Sequence, residues 1–173
     1  TIEEYLKTIN STEATVEVSF FGGTFTGIKE EKQKEFLAIA KEYKDKGFIN
    51  KIRLSTRPDY INAYILDYLK EYSVDIIELG VQSLDEDVLK KAGRGHTVED
   101  VIKASKLIKE YGIVLGHQIM PGLPGDTFDT DIKTVKLSLQ MKPDICRIYP
   151  SLVIKDTPME TMYKRNIYTP YTL

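Results

Sequence analysis

The stretch VDIIELGVQS, residues 74–83, is a continuous apolar run that ends in a glutamine and a serine. Strands covered on both faces have this pattern, whereas half-exposed strands alternate apolar and polar residues. A helical pattern follows at 97–112, with Thr97 as the expected N-cap and Gly112 as the expected end. The apolar run IVLGHQIM at 113–120 completes a strand–helix–strand unit, and the strands of such a unit are parallel.

The same alternation of strand and helix patterns extends along the rest of the chain. Strand-like runs lie at 14–21, 51–56 and 144–154, and helical segments separate them. With no internal linker or low-complexity segment, the pattern predicts one α/β domain over 1–173 with five parallel strands.

Local details of these elements can also be predicted from periodicity and capping rules. The helical segment at 29–47 is expected to bury Phe36, Ile39, Ala40 and Tyr43, and the following helix Tyr64, Ile65, Tyr68 and Leu69. Ser83 is a candidate helix cap, with Glu86 reaching back to it. Cys146 lies within the last apolar run, so we expect a small buried side chain there.

Composition limits the classes of function. The 173 residues are 42% hydrophobic and 29% charged, as in ordinary globular proteins, and the net charge of −2 gives no overall footprint of a nucleic-acid-binding protein. No apolar run approaches the roughly 18 residues that span a bilayer. A single cysteine excludes an internal disulfide and fits a reducing compartment, so we expect a cytoplasmic protein. His96 and His117 lack partners at ligand spacing, and we expect no metal site from them.

Glycine-rich and polar residues follow every predicted strand at the point where it ends. The carboxyl ends of parallel strands meet at one edge, where βα proteins place their binding loops. Tight turns explain Gly, Pro, Ser and Thr in any one loop, but a turn has no need of Gln82 or Arg57. We therefore expect a small-molecule site on this rim. Its residues lie at 22–27, 55–59, 80–83 and 118–125, and at Arg147, Tyr149 and Pro150.

Five of these segments together resemble the core of radical S-adenosylmethionine (SAM) enzymes. They are FFGGTFTG (20–27), LSTRPD (54–59), ELGVQSLDEDVLKKAGRGHT (78–97), IMPGLPGDT (119–127) and DICRIYPSLVIKDT (144–157). The resemblance covers about residues 15–173 and is nearest to the Elongator catalytic-subunit family, which modifies the wobble uridine of tRNA. Oxygen-independent coproporphyrinogen III oxidases share the GVQS and GLPG segments.

The resemblance implies a fold and a chemistry. The fold is a partial (βα) TIM-type barrel of parallel strands, a radical SAM core without its first strand and cluster loop. The cofactors are SAM and a [4Fe–4S] cluster, whose three cysteine ligands are expected upstream of Thr1. In the full-length protein an electron from the cluster would cleave SAM to methionine and a radical that takes hydrogen from the substrate. The 173 residues alone are expected to be inactive.

The resemblance also implies the residues that hold SAM. Gly22 and Gly23 correspond to the segment that contacts the methionine amino group, followed by Thr24, where many relatives have a glutamate. Ser55 and Gln118 match positions that are acidic in relatives, the second of them a ribose-binding position. The resemblance assigns Arg94 to the SAM carboxylate, while Gln82 offers both a donor and an acceptor to the ribose or the carboxylate. The alternative for Gln82 and Gln118 is that each orders its own loop.

Several alternatives remain open on the sequence alone. The chain is either a fragment of a longer enzyme, which its termini favour, or a stand-alone domain that binds a ligand without catalysis. A radical enzyme that acts on a tetrapyrrole or another small molecule is a further possibility. In the Elongator interpretation, tRNA is the partner, Arg57 and Arg147 are candidate contacts, and an acetyl-transfer domain would lie beyond Leu173. No membrane association is expected.

Overall fold

The computed structural model describes residues 2–11 and 13–171. Within them, five strands form one sheet: β1 (Glu17–Phe20), β2 (Lys51–Thr56), β3 (Ile76–Gln82), β4 (Val114–Ile119) and β5 (Ile145–Ile148). The helices of the same residues are α1 (Ile2–Leu6), α2 (Glu30–Asp45), α3 (Ala63–Glu71), α4 (Glu86–Lys91), α5 (Val98–Glu110), α6 (Phe128–Gln140) and α7 (Pro158–Lys164). Short 3₁₀ turns follow β1 at Phe25–Gly27 and β2 at Pro58–Tyr60.

The strands lie in sequence order, β1-β2-β3-β4-β5, and every neighbouring pair is parallel. Consecutive parallel strands that never reverse their order form an arc of a barrel, because each crossover helix places the next strand on the same side of the last. The predicted α/β architecture of five parallel strands is confirmed. All seven residues of β3 are buried, as its continuous apolar run indicated.

The two faces of the sheet differ in chemistry. One face carries Leu54, Leu79 and Leu115 into a hydrophobic core against the helices, where Leu37 of α2 and Ile108 of α5 are fully buried. The residues that alternate with these point the other way, since successive strand side chains lie on opposite faces. On that face the inward positions include Arg53, Glu78 and Gln118. The inner face of the arc is therefore polar.

The buried face of α2 differs from the predicted one. Its buried residues are Gln33, Leu37 and Ala40, whereas Phe36 is 37% exposed and Ile39 45% exposed. Gln33 is buried because its Nε2 donates to the carbonyls of Thr26 and Ile28, which are in the loop after β1. Those hydrogen bonds set the rotation of the helix, and apolar periodicity alone does not reveal them.

Tyr64 in α3 is likewise exposed, and its hydroxyl donates to Glu30 at the start of α2. Of the remaining predicted stripe, Tyr68 and Leu69 are buried and Ile65 is partly buried against the core. The stripe prediction was therefore wrong at Tyr64, where a hydroxyl at the edge of the helix interface favours a polar partner over burial.

The predicted caps are partly confirmed. Thr97 caps α5 in a capping box with Asp100, and Gly112 has φ +68° directly after the helix. Ser83 does not cap α4, because Asp85 accepts from the backbone N–H groups of Asp87 and Val88 instead.

Cys146 is exposed rather than buried. β5 is the last strand of the described sheet, and alternate residues of this edge strand, Cys146 and Ile148, lack a covering layer within the described residues. Among residues 2–11 and 13–171, no helix has both the length and the apolar character needed to cross a membrane.

Candidate cofactor-binding site

A cavity of about 460 Å³ opens at the carboxyl ends of the strands. The seven residues that the resemblance singled out all line it, although they come from four different βα units. They are Gly22, Gly23, Thr24, Ser55, Gln82, Arg94 and Gln118, accompanied by Phe21, Thr56, Arg57, Gly80, Gly93 and Tyr149. Residues from all five predicted strand ends line this cavity, whereas the 121–125 turn, Arg147 and Pro150 do not.

The glycine loop after β1 borders the cavity with bare backbone. Gly22 has φ +105° and Gly23 has φ +154°, conformations that residues with a side chain rarely adopt. A Cβ added at either glycine would meet no heavy atom within 4 Å. The glycines are therefore required by backbone conformation rather than by crowding, and the space beside them is open. Thr24 follows at the start of the 3₁₀ turn, and its side chain makes no capping hydrogen bond.

Gln82 has an unusual backbone for a residue with a side chain. Its φ is +66°, and the β3–β4 pairing shifts register between Gly80 and Gln82. The bulge is held by the backbone N–H of Met120, which donates to the Gln82 carbonyl at 2.9 Å. The side-chain Oε1 of Gln82 is buried without a hydrogen-bond partner in the described residues. Strain combined with an unsatisfied acceptor is typical of a ligand site.

Arg94 lies in the loop after α4 and has a second unsatisfied group. Its Nε is buried with no hydrogen-bond partner among the described residues. Burial lowers the pKa of the Arg94 guanidinium, and the positive charge of Arg57 lowers it further. Arg57 differs because Asp59 accepts from its Nε at 3.0 Å and its Nη2 at 2.7 Å. Of these two cations on the cavity wall, Arg94 is the one poised for an anionic ligand.

Ser55 and Thr56 end β2 on opposite sides of the strand, and both are buried. Thr56 Oγ1 forms a hydrogen bond with Thr26 Oγ1, which ties the 3₁₀ turn after β1 to the neighbouring strand. This contact positions the glycine loop beside the end of β2. Ser55 lines the cavity beside Thr56.

A network of charged groups lies on the inner face of the sheet next to the cavity. Glu78 of β3, only 1% exposed, pairs with Arg53 and with Arg147 Nε at 3.1 Å. Gln118 Nε2 donates to Glu78 Oε2 at 2.7 Å. No sequence motif singled out Glu78. The available signal was a lone carboxylate inside an otherwise apolar strand, which must have a partner when buried.

Both histidines have local partners rather than places on the cavity wall. His96 Nε2 lies 3.1 Å from the Val81 carbonyl, as expected for a histidine that satisfies a backbone group. His117 lies between Ser105 at 2.9 Å and Ser138 at 2.8 Å, and burial lowers its pKa to about 4. Within the part of the chain that the structure describes, no cluster of three or more His, Cys, Asp or Glu side chains forms a metal site.

Comparison with known protein families identifies the family. The radical SAM superfamily matches residues 1–137, and the radical SAM C-terminal domain matches residues 143–173. The chain belongs to the radical SAM superfamily. Proteins of this superfamily use SAM and a [4Fe–4S] cluster.

Curated relatives have related names. The chain is 40% identical over 121 residues to "tRNA uridine(34) acetyltransferase" of Methanocaldococcus jannaschii, covering 68% of this radical SAM chain and 22% of the relative. It is 32% identical to the Methanocaldococcus infernus protein of the same name, and the match covers 97% of this chain and 35% of that relative. "Elongator complex protein 3" of Saccharomyces cerevisiae is 30% identical, and the match covers 98% of this chain and 34% of that protein. The chain thus spans about a fifth to a third of these relatives.

Solved structures agree with the architecture of this radical SAM chain. The archaeal Methanocaldococcus infernus Elp3 with an N-terminal deletion superposes with a TM-score of 0.86 at 31% identity, covering 98% of this chain and 44% of that one. Coproporphyrinogen III oxidase from Escherichia coli superposes with a TM-score of 0.69 at 16% identity, covering 88% of this chain and 35% of that one. At this identity the similarity shows the fold alone. The prediction of a partial radical SAM barrel is confirmed.

The residues of the cavity fit SAM but not the cluster. An unpartnered guanidinium nitrogen, an unpartnered amide oxygen and bare glycine backbone match a ligand with a carboxylate, hydroxyls and an ammonium group. A [4Fe–4S] cluster needs several convergent thiolates, whereas the sequence contains one cysteine, which does not line the cavity. Cluster ligands are therefore not supplied by these 173 residues.

Proposed function

We propose that the cavity at the carboxyl ends of β1–β4 binds SAM in an enzyme that modifies the wobble uridine of tRNA. One observation carries the SAM assignment: side chains lining a single cavity contain two buried polar atoms, Gln82 Oε1 and Arg94 Nε, with no partner in the described residues. Burying such groups without a hydrogen bond costs free energy. A ligand that forms hydrogen bonds with both atoms would remove this cost and bind more tightly.

Each part of the cavity has a role in this proposal. The Arg94 guanidinium pairs with the SAM carboxylate. The backbone carbonyls of Gly22 and Gly23 accept hydrogen bonds from the ammonium group of SAM. Gln82, Gln118 and Ser55 bind the ribose and neighbouring polar atoms, and Thr24 lines the entrance. Bound SAM, together with a cluster whose ligands lie outside this sequence, supplies a carbon radical that removes hydrogen from a substrate.

The tRNA assignment is supported by the relatives named as tRNA uridine(34) acetyltransferases. The net charge of −2 means that these residues would contribute only part of a tRNA surface. Arg57 and Arg147 are already paired with Asp59 and Glu78, so a phosphate would have to compete for them. A cytoplasmic location is part of the same proposal, since an exposed free cysteine fits a reducing compartment.

A salt series on the complete encoded protein tests the tRNA assignment. Affinity for a tRNA with U34 should fall linearly with salt on logarithmic axes, because phosphate contacts release counterions. The isolated 173 residues should bind the same tRNA weakly, and added porphyrinogen should not compete. Negligible affinity of the complete protein at low salt would reject tRNA as substrate. Competition by porphyrinogen would favour the tetrapyrrole alternative.

A further inference from the structure

Glu78 is a carboxylate buried beside the proposed SAM site; it contacts the cavity wall at Gln118 but does not itself line the cavity. Its Oε1 pairs with Arg53 and Arg147, and its Oε2 accepts from Gln118 Nε2 at 2.7 Å. Gly116, which faces Glu78 in the β3–β4 register, leaves room for this side chain: a Cβ there would lie 2.7 Å from Glu78 Cγ. Neighbouring residues thus hold the carboxylate in one place.

The chemistry of the pair fixes the amide of Gln118. An ion-paired carboxylate only accepts hydrogen bonds, so the Gln118 side chain must turn its NH₂ group toward Glu78. The carbonyl Oε1 is then left for the cavity, which Gln118 lines. Without Glu78 the amide would be free to present either its donor or its acceptor to a ligand.

We propose that Glu78 is a positioning residue that makes Gln118 present an acceptor to the cavity and so selects a ligand with ribose hydroxyls. This inference rests on the proposed SAM site. The same contact favours an amide over an acid at position 118. A glutamate there would bring a second carboxylate within hydrogen-bond distance of Glu78, and the two charges would repel.

Calorimetry on the complete protein tests the inference with two probes, S-adenosylhomocysteine and its analogue lacking both ribose hydroxyls. The native protein should prefer the hydroxylated probe by about tenfold, the value of a buried hydrogen bond whose partner is removed. Glu78→Gln should reduce this preference to less than about threefold, because a glutamine no longer dictates the amide orientation. Glu17→Gln is the matched control: it removes the other carboxylate paired with Arg53 and leaves Gln118 alone.

An exchange variant gives the sharpest outcome. Gln118→Glu alone should lose the preference, whereas Glu78→Gln combined with Gln118→Glu should restore it, since glutamine then donates to a carboxylate that faces the cavity. Circular dichroism reports whether each variant folds. Where a variant does not fold, the crystal structure of the native complex decides: Gln118 Nε2 must contact Glu78 and Oε1 a ribose hydroxyl.

Four results would overturn the inference. Equal affinity of the native protein for both probes would reject it and leave the SAM site standing. The same would follow if neither Glu78→Gln nor Gln118→Glu changed the preference for the hydroxylated probe, or if the native complex lacked the Gln118–ribose contact. A native protein that binds neither probe would reject the SAM site, and the role of Glu78 with it.

Discussion

Gln82 and Arg94 converge over the bare backbone of Gly80. A Cβ added at Gly80 would lie 2.9 Å from Gln82 Nε2 and 3.7 Å from Arg94 Nη2. One side chain comes from the bulged end of β3 and the other from the loop after α4, so the glycine lets two elements bring polar groups to one point. Each side chain retains one buried polar atom without a partner in the described residues.

Gly80→Ala should therefore separate ligand affinity from stability. The added methyl group displaces the end of the flexible Gln82 side chain, so we expect a several-fold loss of S-adenosylhomocysteine affinity and a stability change below about 1 kcal/mol. Gly112→Ala is the control, because it strains a positive φ far from the cavity and should cost about 1 kcal/mol without changing affinity. Calorimetry and urea unfolding measure the two quantities. Unchanged affinity in Gly80→Ala would contradict the geometry described for Gln82.

The two arginines on the cavity wall should differ in their effect on binding. Arg94→Met should weaken S-adenosylhomocysteine binding by about 10- to 100-fold, because a charge-assisted hydrogen bond to the ligand carboxylate is lost. Arg57→Met should have a smaller effect, since Asp59 already satisfies Arg57. Binding of 5′-methylthioadenosine, which lacks the carboxylate, should be the same in the native protein and Arg94→Met. Equal losses for both ligands would place the carboxylate elsewhere.

Stability should depend on pH through two groups of opposite sign. Burial lowers the pKa of His117 from 6.5 to about 4, so in this range the unfolded state binds the proton and stability is lost on acidification, by up to about 3 kcal/mol. Burial raises the pKa of Asp131 from 3.8 to about 6, so its contribution is present at low pH and is lost as pH rises through that range. The two slopes oppose each other in the native protein.

Asp131→Asn should leave His117 as the main cause of the pH dependence of stability in this range. Urea unfolding between pH 4 and pH 6.5 should then show a steeper loss of stability on acidification than in the native protein. His117→Asn should give the reverse, a stability that falls as pH rises. Parallel curves for the native protein and both variants would show that neither group titrates with folding.

Anaerobic treatment of the 173 residues with iron and sulfide should give no stoichiometric [4Fe–4S] spectrum. One exposed thiol, Cys146, cannot replace several convergent thiolates. Cys146→Ser should give the same result, which controls for iron bound nonspecifically. A full cluster signal that Cys146→Ser abolishes would contradict the account, since it would require chains to share a cluster.

The sequence revealed most of the fold because strand burial and helix capping are local signals. The apolar run at 74–83 predicted a doubly covered strand, and Thr97 and Gly112 marked the ends of α5. Helix rotation was predicted less well, since Gln33 is oriented by carbonyl groups of a loop that precedes it. The burial of Cys146 was wrong because apolar runs do not reveal that a strand lies at the edge of a sheet.

The cavity could be predicted because parallel strands bring their ends together, and the family resemblance selected its residues. Glu78 was missed for a physical reason: its importance comes from partners on three other strands, β2, β4 and β5, and no short motif contains them. The φ of Gln82 was equally hidden, since a glutamine carries no sequence signal for a left-handed backbone.

A crystal structure of the complete protein with S-adenosylhomocysteine tests the SAM assignment most directly. We expect the ligand in the cavity at the ends of β1–β4, with its carboxylate on the Arg94 guanidinium and a polar atom on Gln82 Oε1. A ligand bound elsewhere, or bound here with Arg94 Nε and Gln82 Oε1 still unpartnered, would contradict it.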